Sequence, residues 1–298
     1  MAEERSIGVV GLGETGRELC RRLMQAGKRI TVYDLDGDVR RSYPVTSPQS
    51  RLAPSLTDLG ADCDVVVSAL ADATQLRAAA IGDEDRQGFA LAMRPGSVIA
   101  HFGMGPYKDI LRLTGQLGSG GIGLVDVMSC GALDGSETTR ALDMLVGGHA
   151  DVIDTARAAL DALGSVTRVG ATGTATGLAS LRGYVRAARL IALSEAMLIG
   201  RHAGIAPDML ARVFDGPVAS GPQCRALTGA QSAPLPPHDL QSTCRAVSDA
   251  VRFSEHIGVS GECVAFARDM LADAIVGDGG DDESTLLRHF TSMAAADG

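Results

Sequence analysis

Three glycines near the start of the chain have the spacing that brings a backbone close to a phosphate. They are Gly11, Gly13 and Gly16, in the sequence Gly11-Leu-Gly-Glu-Thr-Gly16. In a G-x-G-x-x-G loop the first glycine permits a tight turn, the second lets the backbone approach a pyrophosphate, and the third lets the next helix pack closely. The helix N-terminus adds N–H groups and a positive dipole end. The loop therefore predicts a dinucleotide site built from Gly11, Leu12, Gly13, Glu14, Thr15 and Gly16.

The residues around the loop supply the βαβ context that this motif needs. Residues 7–10 are a short apolar run that predicts a buried strand, and residues 15–26 have the periodicity of an amphipathic helix. A second strand, 29–33, ends at Asp34, 18 residues after Gly16, close to the spacing of about 20 expected of a ribose-binding carboxylate. The alternative is a glycine turn in an ordinary βαβ unit. Strand, helix and acid together favour a nicotinamide dinucleotide.

Asp34 also bears on which dinucleotide binds. A carboxylate accepts hydrogen bonds from both ribose hydroxyls and repels a 2′-phosphate. The residues from Asp34 to Asp38 include no cation, and the first ones to follow are Arg40 and Arg41. We therefore expect NAD(H) to be preferred over NADP(H).

Composition excludes several classes of protein. A chain of 298 residues is long for one domain and natural for two. A net charge of −9, no Trp and 3% aromatic residues argue against a nucleic-acid surface. The six cysteines are scattered and no His/Cys cluster has metal-ligand spacing, so we expect free thiols and no metal. Without a membrane-spanning run or a signal-like N-terminus, a cytoplasmic protein that does not engage membranes is expected.

Apolar runs alternate with helical patterns as far as residue 169. Strands are predicted at 62–70, 97–101, 123–128, 142–146 and 166–169, helices at 74–81, 106–117 and 150–163, and a Pro/Ser-rich surface loop at 42–54. Such alternation is typical of a doubly wound α/β domain with a parallel sheet, the Rossmann type. Leu70 and Ala71 follow a valine-rich strand, at the carboxyl edge where such sheets bind ligands. We assign both to the cofactor site.

The pattern changes in the Gly/Thr-rich segment 170–177. From there to Gly204 the chain has no proline and predicts one helix, about 40 Å long at 1.5 Å per residue. Further helical patterns cover 207–214, 240–257, 263–275 and 284–293, and the largest irregular loop is 216–237. We predict a dinucleotide-binding domain over residues 1–173, joined through this long interdomain helix to an all-α domain over residues 174–298.

Four segments spread along the chain resemble the β-hydroxyacid dehydrogenase superfamily, which includes 3-hydroxyisobutyrate dehydrogenase, 6-phosphogluconate dehydrogenase and the imine reductases. They are Gly11 to Gly16, Asp64 to Leu70, Asp126 to Gly131, and Ala188 to Met197 with Ala203 to Ile205. The resemblance implies hydride transfer with a nicotinamide cofactor. It also implies a substrate loop that contains Ser129, Cys130 and Gly131, and a homodimer built by the helical domain.

The chain departs from the family at the catalytic positions. The family's lysine falls on Ala179, with Arg182 and Gly183 where asparagines belong; an alternative register places a lysine on Arg182. The family's later K-D-L segment resembles His238-Asp-Leu240, with histidine for lysine. Standard hydroxyacid chemistry is therefore in question.

Three arginines and a histidine are the remaining candidates for chemistry. Arg182, Arg186 and Arg189 have i, i+4 and i+7 spacing and share one face of the long helix. They either form a solvated basic stripe or pair with acidic residues of a partner subunit. Alternatively, Arg182 and Arg186 bind a carboxylate or phosphate of the substrate. His238 titrates in the range needed for proton transfer, with Tyr184 or Cys130 as substitutes; a lone loop histidine is more often structural.

The combined interpretation is an NAD(H)-dependent oxidoreductase acting on a small anionic hydroxy acid or keto acid. Two alternatives stay open. One is an imine reductase-like enzyme that acts on a C=N bond. The other is a non-catalytic NAD-binding regulatory protein, suggested by the missing lysine.

Overall fold

The computed structural model describes residues 7–45, 47–83, 86–130, 141–214, 240–278, 280 and 284–296. The chain divides into two compact units, Met1–Ala179 and Ser180–Gly298. Among the described residues, no helix is long and apolar enough to cross a membrane.

The first unit is built on one eight-stranded sheet. The strands lie in the order β3-β2-β1-β4-β5-β6-β7-β8. Every neighbouring pair is parallel except β6 and β7, which are antiparallel. Their bounds are β1 (Ile7–Val10), β2 (Ile30–Tyr33), β3 (Ser50–Leu52), β4 (Val65–Ser68), β5 (Val98–His101), β6 (Gly123–Ser129), β7 (Leu142–Gly147) and β8 (Gly164–Gly170).

Helices pack on the sheet in this unit. They are α1 (Glu14–Gln25), α2 (Gly37–Ser42), α3 (Leu56–Asp62), α4 (Ala73–Ala80), α5 (Tyr107–Gly118) and α6 (Ala150–Leu163), with a short 3-10 turn at Phe89–Leu91. Alternate residues of β4 enter two separate apolar clusters: Val65 and Val67 the first, Val66 the second. Both faces of the strand are thus covered, which explains its unbroken valine run. The predicted doubly wound α/β domain is confirmed.

Short elements account for the differences from the sequence prediction. Residues 42–54, predicted as a loop, contain the three-residue strand β3, in which only Ser50 is buried. Helix α3 follows, begun by the Ser55 side chain, which accepts a hydrogen bond from the Asp58 N–H at 3.1 Å. Neither element is long enough to show the periodicity that sequence patterns rely on.

All the regular secondary structure described in the second unit is helical. Helix α7 (Thr174–His202) begins in the first unit and continues into the second, followed by α8 (Pro207–Phe214), α9 (Leu240–His256), α10 (Glu262–Asp278) and α11 (Ser284–Ala296). A core that includes Leu190, Val247, Leu271 and Phe290 joins α7, α9, α10 and α11. The predicted loop at 216–237 lies outside the described residues.

Candidate active site

The three loop glycines differ in what the fold demands of them. Gly11 has a φ of 94°, and a Cβ there would lie 2.9 Å from the Ala69 carbonyl carbon and oxygen. A Cβ on Gly16 would lie 1.8 Å from the Gly11 carbonyl oxygen. Gly13 has an ordinary φ of −64°, and a Cβ there would meet no atom of the described residues within 4 Å other than those of its neighbours along the chain. The fold therefore requires glycine at 11 and 16, whereas at 13 the space is open.

The start of α1 offers backbone donors at this open position. Gly13 is the N-cap residue, and no side chain caps it within the described part of the chain. The first N–H groups of a helix have no partner inside the helix. The Arg17 guanidinium closes the other side of the loop, donating to the Leu12 carbonyl at 2.8 Å and to the Ser42 hydroxyl at 3.1 Å. The arrangement suits an anion that carries its own oxygen acceptors.

Asp34 is fixed beside the loop at the carboxyl end of β2. One carboxylate oxygen accepts from the Leu12 N–H at 2.5 Å, and the other accepts from the Asp36 N–H at 2.8 Å. Arg40 lies behind it: its guanidinium donates to the Asp34 carbonyl at 2.6 Å and stacks 4.7 Å from the centre of the Tyr33 ring. Asp34 is half-buried as a whole residue.

The loop after β4 lies at the same edge of the sheet. The Ala69 N–H donates to the Val10 carbonyl at 2.8 Å, and the Met104 N–H donates to the Ala71 carbonyl at 2.9 Å. Leu70 is buried and Ala71 is exposed. Strand β1 has β2 on one side and β4 on the other, so the chain reverses its direction of winding here. Ligands bind at such a switch point in open α/β sheets.

His101, at the end of β5, is a residue that sequence reasoning did not single out. Its side chain is completely buried, with Nδ1 3.1 Å from the Ser68 hydroxyl and no partner for Nε2 within the described residues. A Cβ on Gly103 would lie 2.3 Å from its Cε1 atom. Burial lowers the pKa of His101 to about 4, against a weaker opposing effect of Asp72. The imidazole is therefore neutral near pH 7. It packs against Ser68 at the end of β4 and against the Gly103 position in the loop after β5.

The pKa of His101 predicts a pH-dependent stability. Because the folded pKa is about 4 and the ordinary value is about 6.5, the stabilising effect of the neutral ring is complete above pH 6.5 and is lost as pH falls towards 4. At pH 5 the loss is about 2 kcal/mol. We expect His101→Met to lose about 2 kcal/mol less free energy of unfolding than wild type between pH 7.5 and pH 5, measured by urea titration. Identical losses in the two proteins would contradict the assignment.

The predicted substrate loop begins at the end of β6. Ser129 is half-buried and Cys130 is exposed, and the Cys130 N–H donates to the Asp143 carbonyl at 2.8 Å. Gly131 lies outside the described residues. The described part of the loop therefore contains an exposed thiol, whereas Ser129 takes part in a further interaction.

Helix α7 carries the candidates of the second half of the chain. Ala179, where the family has lysine, is buried in an apolar cluster with Met128 and Ala175. Arg182 and Arg189 are exposed and Arg186 is half-buried; each takes part in further interactions.

The remaining candidates are Tyr184 and His238. Tyr184 is half-buried and lines a cavity of about 450 Å³ in the second unit, together with Ser254 and Cys263. His238 lies outside the described residues. Among the described candidates, the glycine loop, Asp34 and the end of β4 thus meet at one edge of the first unit, and Arg182, Tyr184 and Arg186 lie on α7 in the second.

Comparisons with known proteins identify the family and the fold of the chain. Residues 6–173 match the family described as the NAD binding domain of 6-phosphogluconate dehydrogenase. L-threonate dehydrogenase of Cupriavidus necator is 28% identical over 208 residues, which are 69% of this chain and 68% of that protein. The 3-hydroxyisobutyrate dehydrogenase of Mycobacterium tuberculosis superposes with a TM-score of 0.77 at 19% identity, covering 97% of this chain and 99% of that one. An imine reductase from Bacillus cereus superposes with a TM-score of 0.62 at 15% identity, covering 96% and 99%.

At these identities the two structures establish the fold. The glycine loop, the carboxylate at the end of β2 and the dehydrogenases among the relatives define an oxidoreductase that binds a nicotinamide dinucleotide. The chain belongs to the β-hydroxyacid dehydrogenase superfamily, as the sequence resemblance predicted.

Proposed function

We propose that this protein is an NAD(H)-dependent dehydrogenase of a small, anionic hydroxy acid. The observation that carries the proposal is the loop at Gly11 to Gly16, which has open space over Gly13 and a fixed carboxylate, Asp34, bound to the Leu12 N–H at 2.5 Å. We assign cofactor binding to the loop, Asp34, Leu70 and Ala71 because all of them lie at the carboxyl ends of β1, β2 and β4. Residues 1–173 form the cofactor domain, and residues 174–298 form the substrate and dimerisation domain.

The preference for NAD(H) rests on the charge at Asp34. Its carboxylate stands where the adenosine ribose is expected, and a 2′-phosphate would bring like charges together. The Arg40 guanidinium donates to the Asp34 carbonyl and lies over the Tyr33 ring. Both partners are neutral and leave its positive charge in place, so the preference requires that the repulsion by the Asp34 carboxylate outweighs the attraction by Arg40. A lower KM for NADPH than for NADH would overturn the preference.

The anionic substrate is supported by the arginines of α7. The helix presents Arg182 and Arg186 on one face, and a guanidinium binds a carboxylate through two parallel hydrogen bonds. The relatives named for L-threonate and 3-hydroxyisobutyrate act on hydroxy acids that carry such a carboxylate. Ser129, Cys130 and Gly131 complete the proposed substrate contacts. His238 is assigned the accompanying proton transfer, with Tyr184 and Cys130 as substitutes.

A homodimer through the helical unit is part of the proposal. Its described surface exposes large apolar side chains, among them Val185 at 54%, Ile199 at 63% and Phe266 at 59%. Apolar surface of this kind marks interaction sites when it is contiguous. The oligomeric state in solution tests this part separately.

Replacing Arg182 by alanine tests the proposed substrate class. We expect the KM for L-threonate or 3-hydroxyisobutyrate to rise about tenfold or more, with a much smaller fall in kcat, because the guanidinium holds the substrate in both ground and transition states. Arg201→Ala is the matched control, since Arg201 is an exposed arginine near the C-terminal end of the same helix. A fall in kcat at unchanged KM, or an equal effect of Arg201→Ala, would contradict the role.

The apolar packing of Ala179 favours a second candidate, an imine reductase-like activity. A buried alanine at the lysine position removes the proton donor that the family uses for hydroxy acids. Turnover of a cyclic imine, with no turnover of hydroxy acids, would select this candidate. NADH binding without turnover of either class would select the non-catalytic alternative.

A further inference from the structure

A buried carboxylate of β6 holds the start of α7. Asp126 is 1% exposed and accepts three hydrogen bonds, from the Gly173 N–H at 2.6 Å, the Thr176 N–H at 2.7 Å and the Thr176 hydroxyl at 2.9 Å. Both N–H groups belong to the beginning of the helix, where backbone donors lack partners inside it. A capping box satisfies such donors with two side chains of the helix itself. Here one carboxylate from a distant strand satisfies both.

The surroundings of Asp126 are shaped to receive it. A Cβ on Gly147 of β7 would lie 2.4 Å from the Asp126 Oδ1 atom, so any larger residue at position 147 would displace the carboxylate. Gly173 has a φ of 96°, a left-handed conformation that favours glycine, and lies against the Tyr107 ring. The Thr172 hydroxyl donates to the Leu124 carbonyl of β6 at 3.2 Å. The Gly/Thr-rich segment 170–177 thus makes the hydrogen bonds that join the start of α7 to β6.

Opposing effects act on the charge of the Asp126 carboxylate. Burial raises the pKa of Asp126, and the bonds from Gly173 and Thr176 oppose that shift. The positive end of the α7 dipole points at the carboxylate and stabilises its charge. An apolar side chain at this position would leave both N–H donors without an acceptor, and an amide side chain would keep only one of the two acceptor oxygens.

Asp126 stands close in sequence to the proposed substrate contacts. Along β6 it precedes Ser129 by three residues and Cys130 by four, and along α7 Thr176 precedes Arg182 by six residues. The strand that ends at the substrate loop and the helix that carries the arginines therefore share one anchor. We propose that Asp126 is a positioning residue, which fixes the first turn of α7 against β6 and thereby holds the end of β6, from which the substrate loop begins, in the position that binds substrate. This inference rests on the proposed function for the substrate roles of Ser129 and Cys130.

Two variants and a control test the proposal. Asp126→Asn keeps the size but turns an amide N–H₂ towards backbone donors, and Thr176→Val removes only the hydroxyl bond. Ser55→Ala is the control, because it removes a side-chain cap from α3 in the same unit. The measurements are the Kd of NADH, KM and kcat for L-threonate and 3-hydroxyisobutyrate, and the iodoacetamide alkylation rate of Cys130 divided by that of Cys263. Both cysteines are exposed, and peptide mass spectrometry separates them.

We expect Asp126→Asn to keep the NADH Kd within about twofold and to raise the acid KM about tenfold, more than it lowers kcat. Its alkylation ratio should change about threefold or more, with smaller changes in the same direction in Thr176→Val and none in Ser55→Ala. Unchanged KM and alkylation ratio, or equal losses in Ser55→Ala, would overturn the proposal. If wild type turns over neither acid, the proposed function fails and the alkylation ratio alone decides the positioning role. If Asp126→Asn does not fold, Thr176→Val decides it.

Discussion

Replacing Gly13 by alanine is expected to weaken NADH binding about 100-fold or more while the protein stays folded. A methyl group at Gly13 would occupy the space in which the backbone approaches the pyrophosphate, and losing close contacts to a charged group costs about 3 kcal/mol. Apart from its neighbours along the chain, no atom of the described residues lies within 4 Å of that methyl position, and the φ of −64° suits any residue.

The stability of the Gly13→Ala variant should change little, because two effects oppose each other. Alanine is a poorer N-cap residue than glycine by about 0.5 to 1 kcal/mol, and it lowers the entropy of the unfolded chain by about 0.4 to 1 kcal/mol. We therefore expect a free energy of unfolding within about 0.5 kcal/mol of wild type, measured by urea titration without cofactor.

Alanine substitutions at two other glycines serve as comparisons for Gly13→Ala. Gly115→Ala, in α5, also adds a methyl group to open space and should leave the NADH Kd unchanged. Gly16→Ala forces a methyl group to 1.8 Å from the Gly11 carbonyl oxygen and should damage both binding and fold. NADH binding of wild-type strength in Gly13→Ala would mean that the phosphates do not lie over this loop.

The positions of these glycines could be predicted from the sequence, and their roles in cofactor binding stay predictions. Gly11, Gly13 and Gly16 lie within one turn, and strand, loop and helix are neighbours along the chain. Asp34 was predicted for the same reason, since one βα unit separates it from the loop. Local motifs also led to the superfamily, because four of them occur in order.

The contacts that the sequence did not reveal depend on the order of the strands. His101 meets Ser68 across 33 residues, and Asp126 meets Gly173 across 47. Each pair forms because β4, β5 and β6 are neighbours in the sheet or because α7 returns to β6. The sequence itself shows only that a polar residue, His101 or Asp126, lies at the end of an apolar strand or within one. Such a position predicts a buried polar group, but it does not identify the residue that will hydrogen-bond to that group.

Replacing Asp34 by asparagine is expected to reverse or abolish the preference for NAD(H). The loss of a charged acceptor for the ribose hydroxyls should raise the NADH Kd about tenfold. The loss of repulsion should lower the NADPH Kd by a similar factor, so that the ratio of the two constants changes about 100-fold. Fluorescence titration with each reduced cofactor measures both constants.

Asp34 also binds the Leu12 N–H, so the experiment must separate recognition from loop structure. Asparagine retains one oxygen that can accept this bond, and Asp38→Asn removes the same charge four residues further on, where the side chain pairs with Arg41. Asp38→Asn should change either Kd by less than about twofold. Equal weakening of NADH and NADPH in Asp34→Asn would show that the carboxylate acts by holding the loop. Weakening of NADH alone, with tighter NADPH, would show that it acts on the 2′ position of the ribose, which is the basis of the proposed cofactor preference.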